Sequence, residues 1–192
     1  MNSRRIALIV MLVLCIGLLG LSTFLPGEPS RTNEGLPLLI RIPPFTLETL
    51  SGETVGLDDL LGSVWVMQVI SPEHVDTFIE VSHRLAGMSE AGTLRPDVLV
   101  VAVLLDPPQE GAGLPGPFAQ AVGADPDRRW VLTGPEPELR RLTEKVAGDR
   151  TRDPCTRLTL IDRRGIVRGT YDGLDPDQMS RLERDAARLH TE

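Results

Sequence analysis

The sequence has few aromatic residues, few cysteines and no concentration of basic charge. Aromatic residues make up 4% of its 192 residues, so we expect a core built mainly of leucine, valine and isoleucine. The formal net charge is −7, and without a basic patch we expect no nucleic-acid partner. A hydrophobic content of 41% over this length suits one globular domain with a sizeable core and additional segments at its ends.

The longest uncharged apolar stretch lies close to the N-terminus. Residues 6–25 contain no charged residue, and a helix of roughly 20 apolar residues crosses the hydrocarbon core of a bilayer. Arg4 and Arg5 precede this stretch, which predicts a cytoplasmic N-terminus with the rest of the chain on the other side. We therefore predict an uncleaved signal-anchor at residues 1–25, a single transmembrane helix in the cell membrane.

Two alternatives to the signal-anchor stay open. A cleaved signal peptide would require a small-residue cleavage site, and none follows the apolar stretch. A lipoprotein would be modified at Cys15, but Leu14 precedes it where a small residue is expected. The Pro/Gly-rich residues 26–40 are predicted to be a linker, followed by an exported domain at residues 41–192.

Cysteine usage limits the chemistry of that exported domain. The chain has two cysteines, and Cys15 lies within the predicted membrane segment. Cys155 is therefore the only thiol of residues 41–192, so no intramolecular disulfide is expected there.

The exported part has the pattern of an α/β protein. Residues 64–70 and 97–105 are apolar runs of strand length, which indicates strands buried on both faces. Between them, apolar residues recur at helical spacing as far as Gly87, where we predict that a helix ends. The other predicted elements, in chain order, are a hairpin at 45–55, a helical turn at 57–62, a loop at 107–117, a strand at 130–133, a helix between Pro135 and Gly148, a hairpin at 157–171, and a last helix with Asp175 as N-cap and Pro176 after it.

This order of elements predicts a thioredoxin-like, three-layer α/β/α domain. It contains two parallel units, a terminal antiparallel hairpin and a closing helix. Two turns with charges of alternating sign, at residues 127–129 and 162–164, are predicted to be solvated.

The sequence also resembles the Sco/SenC family, membrane-anchored thioredoxin-fold proteins associated with copper delivery to cytochrome c oxidase. The resemblance covers about residues 43–172 and rests on short segments in a fixed order. These segments are Phe45-Thr-Leu with Ser51-Gly52, Leu57-Asp-Asp-Leu-Leu-Gly62 before a strand, Leu105-Asp-Pro107 after the next strand, Trp130-Val-Leu-Thr-Gly134, and Leu160-Ile-Asp162 with Gly165.

The copper and redox site that the resemblance implies is absent by residue type. The family's two cysteines, four residues apart at a strand-to-helix corner, correspond to Ser71 and Val75, and its ligand histidine corresponds to Pro154. Cu(I) prefers thiolates, whereas a serine hydroxyl is not ionised at neutral pH and valine has no donor atom. Without a dithiol there is no thiol–disulfide exchange within the site. We therefore predict no enzyme activity, no catalytic residue and no bound cofactor.

The residues at the corner have a local structural interpretation. Ser71 is a favoured N-cap, Pro72 suits the first position of a helix, and Glu73 in the first turn suits the helix dipole. A catalytic serine would need a base and an orienting acid, and only His74 is adjacent.

His74 and Cys155 are the remaining candidates for chemistry. A histidine in the first turn of the helix could meet Cys155 from the loop before the terminal hairpin, and the pair could hold copper or activate the thiol. The alternatives are a solvent-facing histidine and a cysteine that fills space at the start of a strand. His83 and His190 are interpreted as structural or surface residues.

The leading hypothesis is a Sco/SenC-like accessory protein with an extracytoplasmic, periplasmic domain that acts by binding, as an assembly factor. Its protein partner is unknown, and the resemblance implies a respiratory-chain or copper protein. The alternative is a copper chaperone or thiol protein that uses His74 and Cys155. A peroxiredoxin-type enzyme on the same fold would need a cysteine where Ser71 stands.

Overall fold

A computed structural model describes residues 39–105, 128–146 and 154–191, which form an eight-stranded sheet with its helices. The strands are β1 Ile40–Arg41, β2 Thr46–Thr49, β3 Thr54–Gly56, β4 Val64–Ile70, β5 Val98–Leu104, β6 Arg129–Thr133, β7 Arg157–Ile161 and β8 Ile166–Asp172. The helices are α1 Leu57–Leu60, α2 Val75–Glu90, α3 Glu136–Val146 and α4 Pro176–Leu189, and 3₁₀ turns occupy Pro72–His74 and Pro154–Thr156.

Several predicted segments lie outside the described residues. They are the signal-anchor at 1–25, all of the predicted linker except residues 39 and 40, and the loop at 107–117. Within the three described ranges, every helix is too short or too polar to span a bilayer.

The sheet combines parallel and antiparallel strands in the order β1-β8-β7-β4-β5-β6-β2-β3. Strand β4 pairs parallel with β5, and β5 pairs parallel with β6. On its other side β4 pairs antiparallel with β7, which forms the terminal hairpin with β8. The predicted βαβ unit and terminal antiparallel pair are therefore confirmed.

Side chains on alternate positions of β4 enter two separate cores. Trp65 and Met67 pack in one core with Leu139 and Leu142 of α3. Val64 and Val66 pack in the other, whose helical members come from α2 and α4 and are Val81, Leu85, Met179, Leu182, Ala186 and Leu189. The sheet thus lies between two helical layers, as predicted, and the cores are mainly aliphatic.

Helix α2 extends beyond its predicted end at Gly87 and stops at Glu90. Gly92 has the left-handed backbone conformation, with φ of +70°. Its N–H donates to the carbonyl of Ser89, and the N–H of Thr93 donates to the carbonyl of Met88. This pair of bonds is a Schellman termination, so Gly92 is the stop signal and Gly87 lies inside the helix.

The prediction that residues 127–129 form a solvated turn is wrong for Arg129. This residue begins β6, only 8% of its surface is exposed, and its Nη2 lies 3.4 Å from the carbonyl oxygen of Ser82 in α2. Parallel pairing of β6 with β5 places Arg129 beside Val100 and under α2. The charge is buried because the strand begins earlier than the apolar pattern indicates.

The turn at 162–164 also contains a buried charge. Asp162 is 5% exposed, and its Oδ1 accepts the backbone N–H groups of Arg164 and Ile166, both at 2.9 Å. Its Oδ2 accepts a hydrogen bond of 2.9 Å from Nη1 of Arg168, a residue that is 4% exposed. Desolvation raises the pKa of Asp162, but the bonds from Ile166, Arg168 and Arg164 outweigh it and hold the pKa below its usual value.

We expect Asp162→Asn to lower the free energy of unfolding by about 3 kcal/mol, because it leaves the buried Arg168 guanidinium without its carboxylate. A urea titration at neutral pH measures this loss, with the exposed Asp58→Asn in α1 as the control. Because the pKa of Asp162 is lower in the folded state, its contribution is present above about pH 4 and is lost as the pH falls through the folded value. A variant with unchanged stability and unchanged acid dependence would contradict this account.

Candidate functional site at the strand-to-helix corner

The corner after β4 keeps the predicted architecture, with one difference in how the helix begins. Ser71 has an extended backbone, with φ of −116° and ψ of 135°, and its side chain makes no capping hydrogen bond. Its carbonyl oxygen instead accepts the N–H of His74 at 3.0 Å. Ser71 therefore occupies the predicted N-cap position with Pro72 after it, but it caps a 3₁₀ turn closed by this backbone bond, and α2 begins only at Val75.

The thiol of Cys155 lies against this corner. Cys155 belongs to the 3₁₀ turn that precedes β7, and its side chain is fully buried. The backbone N–H of Ser71 donates to its Sγ over 3.3 Å. Cys155, the only cysteine of residues 41–192, therefore contacts the position that the family resemblance assigns to the first cysteine of the copper site.

A buried polar bridge holds the Cys155 turn in place. The side chain of Gln68 is fully buried in β4; its Nε2 donates to the carbonyl of Cys155 at 3.3 Å, and its Oε1 accepts from Oγ of Ser82 at 3.4 Å. On the other side, the N–H of Gly173 donates to the carbonyl of Thr156 at 2.7 Å. Sequence reasoning missed this bridge, although Gln68 is the one polar residue in the apolar run of β4.

The other predicted positions differ in exposure. His74 is exposed, Val75 and Pro154 are half-buried, and Val75 packs beside Phe78. Reactive cysteines are typically partly exposed, whereas the side chain of Cys155 is fully buried. Within the described ranges, no three His, Cys, Asp or Glu side chains are placed to share a metal ion. A joint role of His74 and Cys155 stays a prediction.

A small cavity opens at the same end of the sheet, on the face covered by α3. Its volume is about 130 Å³, and its apolar lining includes Met67, Val69, Leu105, Val146 and Pro154. Thr143, Glu144, Arg157 and Thr159 complete the lining, whose exposed surface is mainly apolar. Pro154 belongs both to the Cys155 turn and to this lining, so the turn borders the cavity.

Comparison with known proteins identifies the fold. No family model matches the sequence, and no curated protein matches it. Among solved structures, the thioredoxin domain of a thiol-disulfide oxidoreductase from Bacteroides vulgatus superposes with a TM-score of 0.54 at 15% identity, over 78% of this chain and 97% of that one. The chain has a thioredoxin-like fold.

Structures of Sco proteins are among the neighbours of this thioredoxin-like domain. BsSco, a member of the Sco family of cytochrome c oxidase assembly proteins, matches with a TM-score of 0.57 at 18% identity, over 83% of this chain and 99% of that one. A SCO1/SenC family lipoprotein from Bacillus anthracis matches with a TM-score of 0.58 at 19% identity, over 83% and 98%. The predicted likeness to this family is therefore confirmed at the level of the fold.

We expect Ser71→Cys to form a disulfide with Cys155 under mild oxidation, in a Cys15→Ala background. The backbone nitrogen of residue 71 already lies 3.3 Å from Sγ of Cys155, so the thiol lies beside the residue that would carry the second sulfur of the disulfide. Thiol titration and intact mass before and after oxidation measure the bond.

The matched control is Glu73→Cys, at an exposed position of the same turn, which is expected to keep both thiols. Equal oxidation of the two variants would show that the contact at residue 71 does not direct the pairing.

Proposed function

We propose that this protein is a divergent relative of the Sco/SenC proteins and acts as a membrane-anchored accessory protein that binds a partner. Residues 6–25 anchor it in the cell membrane, with the N-terminus cytoplasmic and the thioredoxin-like domain outside the cytoplasm. The expected partner is a respiratory-chain or copper protein during assembly of the oxidase. The role in oxidase assembly comes from the name of the similar BsSco, and the copper part comes from the family resemblance of the sequence.

One observation carries the proposal: a Sco-like fold in which the three ligand positions hold Ser71, Val75 and Pro154. Serine and valine supply no thiolate, and proline supplies no imidazole, so a copper-relay or dithiol mechanism has no donor set at these positions. The corner nevertheless keeps its strand, turn and helix. A Sco-like fold without these donors favours binding over transfer chemistry.

The corner offers a partner both polar and apolar contacts. Glu73 and His74 are exposed at the turn, and the exposed surface of the cavity beside Pro154 is mainly apolar. A protruding apolar side chain seated in such a pocket is a common anchor of protein interfaces. The proposal therefore places the binding surface at this end of the sheet.

Deleting the gene is expected to lower the copper-dependent oxidase activity of membranes, because the proposed partner would assemble poorly. The wild-type chain, His74→Ala and Cys155→Ala are each expected to restore it, since the leading proposal uses neither side chain as a ligand. Immunoblots of the membranes control for protein level. Unchanged oxidase activity in the deletion strain would contradict the proposal.

A second candidate function is a copper-binding or thiol protein that uses His74 and Cys155. The observation in its favour is the contact of Sγ of Cys155 with the backbone of Ser71, which places a soft donor at the corner. Such a site would be built from one thiolate and one imidazole, a smaller donor set than the two cysteines and one histidine of the family.

Cu(I) titration against a chromophoric chelator separates the two functions. The leading proposal predicts that the full-length Cys15→Ala protein does not bind Cu(I) tightly and stoichiometrically. It also predicts that this protein competes with the chelator for Cu(I) equally weakly with and without Cys155→Ala. Tight binding of one ion that disappears in Cys155→Ala and weakens in His74→Ala would replace the leading proposal with the copper-binding function. His83→Ala serves as the control histidine variant.

A further inference from the structure

A cluster of charged side chains lies at the end of the sheet opposite the corner. It consists of Arg95 and Asp97, which precede β5, Arg163 in the β7–β8 turn, and His190, which follows α4. Nη2 of Arg95 lies 3.0 Å from Nε2 of His190, and Nη2 of Arg163 lies 3.0 Å from Nδ1. Oδ2 of Asp97 lies 2.8 Å from the same Nδ1. We call these four residues the arginine–histidine cluster.

The arginine–histidine cluster has more hydrogen-bond donors than acceptors. A guanidinium only donates, and a neutral imidazole carries one donor nitrogen and one acceptor nitrogen. If Nδ1 carries the proton, it donates to Asp97 and Nε2 accepts from Arg95, but Nη2 of Arg163 then faces an N–H group. If Nε2 carries the proton, it faces a donor of Arg95, and Asp97 faces a lone pair. The first tautomer has fewer conflicts.

Protonation of His190 does not remove the conflict. Both ring nitrogens would then be donors, and both arginines would face an N–H group. Within the described residues, the only other contact of Arg163 in the cluster is Nη1 to the carbonyl of His190 at 3.5 Å, the limit of a hydrogen bond. In each protonation state, a donor of Arg163 or Arg95 therefore lacks an acceptor in the cluster.

The cluster has a net positive charge as well as an excess of hydrogen-bond donors. Two guanidinium groups and one carboxylate leave the cluster positive even with a neutral imidazole. Burial raises the pKa of Asp97, but the hydrogen bond from Arg95, a backbone hydrogen bond and the charge of Arg95 outweigh it and keep the pKa below its usual value. Each oxygen of the Asp97 carboxylate has a partner in the cluster: Oδ1 accepts from Nε of Arg95 at 3.0 Å, and Oδ2 lies 2.8 Å from Nδ1 of His190.

We propose that the arginine–histidine cluster binds an oxyanion of the phosphate class, held by Arg163 and by the unused donors of Arg95. A tetrahedral oxyanion supplies several acceptor oxygens and negative charge, which are the two things that the cluster lacks. The planar guanidinium fork is the side-chain group best suited to such a ligand. Arg95, Asp97 and His190 are all partly exposed, so the ligand has access from solvent.

Titration of the full-length protein with inorganic phosphate tests the proposal, by isothermal calorimetry at constant ionic strength with chloride as the reference anion. We expect saturable binding that Arg163→Gln weakens about tenfold or more, as removal of a charge-assisted hydrogen bond does. The control is Arg164→Gln, because this neighbouring arginine is more exposed and pairs with Asp162. Its affinity is expected to equal that of the wild type.

Two further measurements keep the result interpretable. Circular dichroism verifies that each variant is folded. In the wild-type protein, the NMR signals of the His190 imidazole are expected to shift on addition of phosphate. Glycerol phosphate in place of inorganic phosphate distinguishes an ester ligand from the free ion. Absence of saturable binding of both ligands to the wild type, or equal affinity in Arg163→Gln and Arg164→Gln, would overturn the proposal.

Discussion

The burial of strand β4 on both of its faces is the constraint on which the rest of this domain depends. The strand is flanked by β5 and β7, and helical layers cover it above and below. A polar side chain in such a strand must find its partners inside the protein. Gln68 does so with the carbonyl of Cys155 and the hydroxyl of Ser82. The hydrogen bonds of the buried Gln68 thereby hold the turn before β7 against the strand-to-helix corner.

This arrangement shows what holds the corner in its shape. The positions that the family resemblance assigns to copper ligands are occupied by Ser71, Val75 and Pro154, and none of their side chains takes part in the bridge from Gln68. Because the corner is held by that bridge and by the two cores, its shape does not depend on donor atoms at these three positions. One architecture can carry different chemistries for this reason.

Charged groups organise the opposite end of the sheet. Asp162 accepts three short hydrogen bonds that close the β7–β8 turn and neutralise Arg168. The adjacent Arg163 points instead to His190 at the end of α4, where Arg95 and Asp97 also meet the imidazole. One turn thus supplies both a closed, satisfied ion pair and an open, positively charged cluster. The difference lies in the number of acceptors that surround each guanidinium.

The sequence by itself determined the features that depend on neighbouring residues. Apolar runs identified β4 and β5, helical spacing identified α2 and α4, and Asp175 caps α4 as its residue type indicates. Residue type alone also shows that Ser71 and Val75 cannot act as soft-metal ligands. Only the tertiary structure decided which distant groups meet, because local patterns carry no information on pairs such as Ser71 and Cys155, 84 residues apart, or Arg95 and His190, 95 residues apart. The burial of Arg129 and Asp162 was decided in the same way, since a charge-rich turn is solvated or buried according to what the rest of the chain packs against it.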